Sequence, residues 1–508
     1  MVICKENISS EEKELNILRK AVDFAEEKVG KKILNSPEIK RMIEIVEMFL
    51  RNKKCICYGG TAINNLLPLE DQFYNKDIEI PDYDFFSPNA MEDAKELADI
   101  YHKEGYQDVE AKAGQHFGTY KVFVNFIPIA DITRLDKKLF NSVFDDSVKI
   151  DGIYYAPPNF LRMSLYLELS RPAGDVSRWE KIFKRLNLLN KNYPLKEDKC
   201  DPILFMNTFE DNQSDNKNLS INQSYDEESK YRKNDLYNIT KRTFISRGLV
   251  FFGGYAFKHY QKIDRKNKYL INHTPDFDVL SEDPRKSAEE LKERLKSNGY
   301  RNIKIIERDS IGEIIPVHYE IKVEGKTIAF IYEPVGCHSY NILNLKGENI
   351  KIASIDTMLS FFLAFIYANR PYYDKKRILC MAEYLLNVQK KNKYEQKGIL
   401  RRFSVNCYGT QLSKEDIRAE KAEKYKELKE RGNYKDFQEY FLNYNPADKD
   451  NADKDKNTNK GNKSNIKMYK TKNKLKTKVN LNKSKSKSKP KRKTIKTRKI
   501  KRFGSIEM

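Results

Sequence analysis

Residues 59–106 return, without a gap, as residues 253–300 of the same chain. Gly59-Gly60 falls on Gly253-Gly254, and Pro81-Asp82 falls on Pro275-Asp276. Asp84 matches Asp278, Ala94 matches Ala288, Leu97 matches Leu291, and Gly105-Tyr106 matches Gly299-Tyr300, all at one offset of 194. Solenoid repeats have periods of about 20–50 residues, so a duplication this long points to two similar domains in tandem. A chain of 508 residues, with 31 Tyr and 27 Phe, can give each of them a core.

Both copies spell the same local structure. Cys55-Ile56-Cys57-Tyr58 reads as the end of a short buried strand, Gly59-Gly60 as a sharp turn, and residues 61–67 as the start of a helix. Such a junction lets backbone N–H groups approach a phosphate closely, with the helix N-terminus facing it. Thr61 adds a hydroxyl there. In Asp82-Tyr83-Asp84, the alternation of an extended strand sets both carboxylates on one face and Tyr83 on the other. Paired carboxylates beside a phosphate cradle suit Mg²⁺, which takes oxygen ligands and accompanies triphosphates. Read alone, a Gly-Gly pair is an ordinary turn and an Asp-x-Asp a solvated loop. Their recurrence at the same 22-residue spacing, Gly60 to Asp82 and Gly254 to Asp276, favours chemistry.

A third carboxylate, Asp131, sits in the apolar run Ile127-Pro128-Ile129-Ala130-Asp131-Ile132. It is costly to bury unless paired or bound to metal, and the competing reading is a strand-end Asp in solvent. If its strand lies beside that of Asp82 and Asp84, three carboxylates converge. Alignment of the second copy puts Glu333 at this third position and Tyr255 in place of Thr61, a ring where a phosphate would enter. The first copy is therefore expected to be catalytic, and the second degenerate, structural or RNA-contacting. Arg178, Lys181, Lys184 and Arg185 read as an exposed helix face, either merely solvated or able to hold a triphosphate or an RNA backbone.

Composition narrows the class. The first residues lack a signal-peptide core, the longest apolar run (358–368) is too short to span a bilayer, and 33% of residues are charged. A soluble intracellular protein with no membrane partner is expected. Seven Cys without a CxxC fit a reducing compartment, with Cys55 and Cys57 as buried small hydrophobes rather than zinc ligands. Of the net charge of +22, residues 448–508 account for most, with 23 Lys+Arg against 5 Asp+Glu. That low-complexity stretch cannot bury enough apolar surface to fold. It reads as a polyanion-attracting tail; a nuclear-targeting signal at Lys489-Pro490-Lys491-Arg492-Lys493 or simple solubilisation are the alternatives.

The expected architecture is α/β (α+β): two tandem similar domains with helical additions and a disordered basic C-terminal tail. N-terminal helices occupy 1–52, the first domain with its helical extension 53–206, and a polar linker or loop 207–235. The second domain occupies 236–400, a helical segment 401–445, and the tail 446–508. Within the first domain, residues 90–103 read as a helix and 109–113 and 120–128 as strands. In the second, helices are expected over 354–390.

Gly-Gly-Thr, then Asp-x-Asp, then a third Asp on a later strand resembles the polymerase-β-type nucleotidyltransferase superfamily. Tyr58-Gly59-Gly60-Thr61-Ala62 and Pro81-Asp82-Tyr83-Asp84-Phe85-Phe86-Ser87 look more narrowly like the catalytic subunit of poxvirus-type poly(A) polymerases, in the version found in giant DNA viruses. The resemblance covers about residues 40–390. It implies transfer of AMP from ATP to an mRNA 3′ end with two Mg²⁺ or Mn²⁺ ions. Asp82, Asp84 and Asp131 would be the metal-binding catalytic residues, and Gly59, Gly60 and Thr61 would bind the nucleotide. It further implies RNA as partner, a separate processivity subunit and location in the viral factory of the host cytoplasm or in the virion, whereas the basic tail and doubled domain suggest that a homodimer could suffice. The alternatives are a non-catalytic RNA-binding scaffold and another terminal nucleotidyltransferase, uridylyl- or tRNA-end-adding.

Overall fold

Two eight-stranded mixed sheets carry the duplication. The computed structural model describes residues 14, 15, 17–22, 36–74, 81–197, 200, 223–263, 276–312, 314–432 and 434–448. The expected basic tail and most of the expected first helix lie outside them. In the first sheet the strands are β1 (Ile56–Cys57), β2 (Tyr83–Ser87), β3 (Val109–Ala113), β4 (Thr119–Val124), β5 (Ile127–Arg134), β6 (Val148–Ile150) and β7 (Ile153–Tyr155). The second sheet contains β8 (Val250–Phe252), β9 (Phe277–Leu280), β10 (Ile303–Arg308), β11 (His318–Val323), β12 (Lys326–Tyr332), β13 (His338–Leu345) and β14 (Glu348–Ala353).

Their orders correspond strand for strand. The first runs β3-β4-β5-β2-β1-β7-β6 and the second β10-β11-β12-β9-β8-β14-β13. Each gains one further edge strand from the end of the chain: β15 (Cys407–Tyr408) pairs with β13, and β16 (Asn443–Tyr444) pairs with β3. A single C-terminal segment thus covers one edge of each sheet, hiding backbone groups that would otherwise template association. The segment expected as helical over 401–445 contains helices Lys414–Arg431 and Tyr434–Phe441, between these two short strands. Two-residue strands carry too little pattern to be seen in sequence.

Local chemistry explains the elements around the site. Pro37 opens the helix Pro37–Asn52, whose buried face of Ile39, Met42, Ile45, Val46, Phe49 and Leu50 lies on the first sheet's core. The helix Ala90–Lys103 covers the same sheet, and the Tyr101 hydroxyl donates to the Met42 carbonyl at 2.6 Å. The strand expected over 120–128 is in fact a hairpin, broken at Asn125 and Phe126, which have φ of 48° and 66°. Two consecutive left-handed residues are what a two-residue hairpin turn requires, and Asn tolerates this conformation.

Two further expectations are corrected. Residues 223–246 form one helix, so the polar stretch expected as linker or loop over 207–235 is helical from Gln223. Leu236 and Phe244, in its C-terminal half, are buried, whereas the polar composition of the stretch concealed the helix. The cysteines are not all free: Cys200 is bonded to Cys380 and Cys337 to Cys407, whereas Cys55 and Cys57 are buried thiols. Partners 180 and 70 residues apart leave no local spacing to read. The helices expected over 354–390 are present as Ile355–Phe365 and Lys375–Lys391, on either side of Arg370-Pro371.

The described residues belong to one compact unit. Helix Pro158–Leu169 of the first half packs on Ile355–Phe365 of the second, with the Phe160 and Tyr367 rings 5.3 Å apart. Among the described residues no helix is long and apolar enough to cross a membrane.

Candidate active site

The site is assembled on β1, β2 and β5. β1 ends at Cys57, Tyr58 stays extended, and Gly59 takes φ +72° to start the helix Gly59–Leu66. The Tyr58 N–H donates to the Asp84 carbonyl at 2.9 Å, locking the turn against β2. A Cβ at Gly59 would strike the Asp84 carboxylate, so both the backbone conformation and the close approach demand glycine. A Cβ at Gly60 would meet the Tyr74 hydroxyl and come within 2.9 Å of Arg185 Nη2. Thr61 is buried and donates its hydroxyl to the Asp82 carbonyl at 2.7 Å. That bond ties the helix to the carboxylate strand instead of presenting the hydroxyl to an incoming phosphate.

Asp82 immediately precedes β2 and Asp84 lies within it. In the parallel pair β2–β5, Asp84 and Asp131 are register partners. The strand of Asp131 does lie beside that of Asp84. Tyr83 points to the opposite face, where its hydroxyl donates to Glu47 at 2.7 Å. Burial, then the Asp82 and Asp131 charges, push the Asp84 carboxyl up to about 7, against a weaker pull from Lys121 and Arg178. Asp82 is also raised, first by burial and then by Asp131, opposed by Lys121 and Lys181. The first sheet therefore gathers more negative charge than the chain itself neutralises.

Lys121, on β4 opposite Asp131, makes an ion pair with the Asp131 carboxylate. Asp131 is thus adjacent to the pair but engaged elsewhere. Among the described residues no group of three or more His, Cys, Asp or Glu side chains is closed tightly enough to hold an ion as it stands. Lys121 is invisible in the sequence because strand pairing, unlike alternation along β4, has no signature in a single chain.

Arg185, expected with Arg178, Lys181 and Lys184 on an exposed face that is either solvated or holds a triphosphate or RNA backbone, is buried. It donates to the Tyr74 hydroxyl at 2.7 Å and stacks over Phe73 and Tyr74, with its centre 4.8 Å and 5.4 Å from the ring centroids. Its Nη1 and Nη2 stand beside the Gly60 turn, and its Nε is buried without a partner. A buried guanidinium with an unused donor next to a glycine turn is suited to an anion.

The second copy preserves the turn and loses the cluster. Gly253 has φ +60°, and a Cβ there would strike the Asp278 carboxylate, as at Gly59. The register partner of Asp278 across β9–β12, however, is Phe330. Glu333 lies beyond the end of β12, where its N–H bonds the Val317 carbonyl, so the sequence alignment that gave it the third position was off by the hairpin. Tyr255 does not block a phosphate either: it is buried against Phe251 and Phe277, with centroids 4.8 Å and 5.4 Å away. The Asp276 and Asp278 carboxyls are raised by burial, and Arg377 opposes that shift at both. Here a guanidinium supplies the cation, and the stacked Tyr373 and Phe365 rings, 4.1 Å apart, with Tyr332, whose hydroxyl bonds that of Tyr373 at 2.7 Å, fill the space.

Residues 44–175, which contain the whole cluster, match the family model of the poly(A) polymerase catalytic subunit. A protein of Acanthamoeba polyphaga mimivirus, provisionally named a poly(A) polymerase catalytic subunit, is 33% identical over 164 residues, 32% of this chain and 28% of that protein. One from African swine fever virus (strain Badajoz 1971 Vero-adapted), provisionally given the same name, is 34% identical over 171 residues, 32% of this chain and 36% of its own length. The similarity thus spans about a third of these relatives. In three dimensions the chain is similar to the Megavirus polyadenylate synthase, with a TM-score of 0.69 over 92% of both chains at 21% identity. The fold, both halves included, is shared with that enzyme.

Proposed function

We propose that this chain is a template-independent polynucleotide adenylyltransferase with one working site, in the domain we place at residues 53–206. The single observation that carries the reading is the Asp84–Asp131 register beside Asp82 and the Gly59-Gly60 turn. The match of residues 44–175 to the catalytic-subunit family supports it. The RNA 3′-hydroxyl oxygen bonds to the α-phosphorus of ATP, the bond from that phosphorus to the bridging oxygen breaks, and pyrophosphate leaves.

The donor set fits divalent cations. Three hard carboxylates lie together, Asp131 paired with Lys121, and Asp82 and Asp84 are raised by burial and by their neighbours' charge, a balance that a bound cation would reverse. Asp82 and Asp84 would hold two Mg²⁺ or Mn²⁺ ions and Asp131 would complete the site. Such ions lower the pKa of the attacking hydroxyl and stabilise the departing pyrophosphate. The protein's own groups do the rest. Gly59 and Gly60 let backbone N–H groups approach the triphosphate, and Arg185 stands beside that turn with an unused donor. Arg178 and Lys181 contribute positive potential at Asp84 and Asp82, respectively. Lys121 holds Asp131 until a stronger cation competes for it.

The domain at 236–400 is proposed to be degenerate, because Phe330 and Arg377 stand where a third carboxylate and a metal would be required. ATP, RNA and either a second copy or a separate processivity subunit are the partners this reading entails, in a viral factory or virion. Incubating a short RNA primer with each NTP separately, with Mg²⁺ or Mn²⁺, tests it. ATP-selective tails are expected. UTP-selective tails would favour a uridylyltransferase, and RNA binding without extension would favour a scaffold. Light scattering decides between homodimer and monomer.

A further inference from the structure

Helix Trp179–Asn192 has two working faces. Lys181 and Arg185 point to the carboxylates and the glycine turn, while Phe183, Asn187 and Asn190 lie on the other side of the helix. That second face meets helix Lys375–Lys391 across a cavity of about 510 Å³. The volume lies within the range of small-ligand sites. Its walls include Lys390, Lys393 and Arg402 and, among the described residues, no carboxylate.

The cavity is held in shape at both ends. At one, Cys200 is bonded to Cys380 and the Glu197 N–H donates to Glu383 at 3.0 Å. At the other, Arg402 donates to the buried Asp356 at 3.1 Å, with Gln389 on the same carboxylate at 3.3 Å. The Arg402 guanidinium is stacked between Phe183 and Phe403, 5.1 Å and 4.9 Å from their centroids. Trp179 extends this platform, 6.0 Å from Phe403. Asn190 is held from both sides, its Oδ1 by Arg162 Nε at 2.7 Å and its side chain by the Tyr166 hydroxyl, so the exposed Asn187 is the amide on this wall that is open to a ligand. An aromatic face, amide donors and unopposed lysines are the three groups that read a nucleotide: its base face, its base edge and its phosphate.

We propose that this cavity is a subsite for one nucleotide of the single-stranded RNA upstream of the reacting 3′ end, with the base on Phe183, its edge at Asn187, and its phosphate at Lys390 and Lys393. The proposal deepens the adenylyltransferase reading and rests on it for the direction of the strand. A helix with its side chains is about 10–12 Å across, so a strand leaving the carboxylates reaches the cavity by crossing one helix. The two halves of the chain then grip the RNA together, which gives the second domain a use without chemistry.

The test is fluorescence anisotropy of 5′-labelled RNA on the full chain, without ATP or divalent ions, so that it reads binding apart from catalysis. For a long single strand, Lys390→Glu/Lys393→Glu is expected to weaken binding at least tenfold. The slope of log affinity against log salt should fall by about 0.7 for each phosphate that the variant no longer neutralises. Phe183→Ala should weaken binding about tenfold by removing the stacking ring. Neither variant should change the affinity of an oligonucleotide too short to leave the carboxylates, and melting curves establish that both are folded. Equal losses for short and long RNA, or no loss for long RNA, would overturn the subsite. So would free ATP, and not RNA, protecting Lys390 and Lys393 from acylation. If no NTP is incorporated yet the long-strand difference persists, the catalytic reading fails and the RNA subsite stands.

Discussion

Asp84 and Asp131 are register partners across a parallel strand pair, whereas the partner of Asp278 in the duplicated sheet is Phe330. On matching strand orders, a carboxylate thus gives way to a ring at the third position, and Arg377 with the Tyr332, Tyr373 and Phe365 rings completes the difference. The consequences can be measured one at a time.

The raised Asp84 carboxyl makes the metal-free protein pH-sensitive. Its folded-state value of about 7 lies above the ordinary carboxylate value near 4, so between the two the native state keeps a proton that the unfolded chain has lost. That contribution to stability is fully present below about pH 4 and is lost as pH rises through about 7. Divalent ions bind the ionised form, so their affinity should rise over the same interval. Asp84→Asn should flatten the decline in melting temperature between pH 5 and 8 in chelator, with the range set by the value near 7. Parallel melting curves for both proteins would contradict the account.

Lys121 competes with a metal for Asp131. Lys121→Met should tighten Mn²⁺ binding by about fivefold, the upper end of what a partly exposed pair of about 1 kcal/mol contributes. Calorimetric titration of the two proteins measures it. Weaker binding in the variant would show that the lysine orients Asp131 for the ion instead of opposing it.

The two glycine turns separate structure from chemistry. Ala at Gly59 or at Gly253 puts a Cβ into an aspartate carboxylate and forces a left-handed conformation costing about 1–2 kcal/mol. Both variants should lose stability to a similar extent in urea unfolding. RNA extension should fall at least about a hundredfold for Gly59→Ala alone.

Arg377 should be structural. Arg377→Met leaves Asp276 and Asp278 without the cation that opposes their burial and should cost about 3–5 kcal/mol. Adding Asp276→Asn and Asp278→Asn should restore most of it, because the buried charge is gone. Failure of that rescue in chemical denaturation would remove Arg377 from the role of internal cation.

What is legible in the sequence follows from covalent adjacency. Gly59-Gly60, Asp82-Tyr83-Asp84 and their repetition can be read because turn and alternation rules act along the chain, and the fold class and duplication come with them. Asp131 stands out as an anomaly, a charge in an apolar run. Lys121 and Phe330 do not, because each acts across a strand pair that sequence does not align, and Arg185 is legible as one of four basic residues on a helix face but not as buried. Glu333 is misplaced by sequence for the same reason: the hairpin register, not the spacing, sets what faces Asp278. The partners of Cys200 and Cys337 are likewise fixed only by packing.

The most direct test of the central claim is extension of a short RNA primer by ATP with three proteins side by side: the unmodified chain, Asp82→Ala/Asp84→Ala, and Asp276→Ala/Asp278→Ala. The account predicts poly(A) tails from the first and third and none from the second, with the third compared at a temperature where it remains folded. Tails lost in the third but kept in the second would put the chemistry in the other half of the molecule and contradict the assignment.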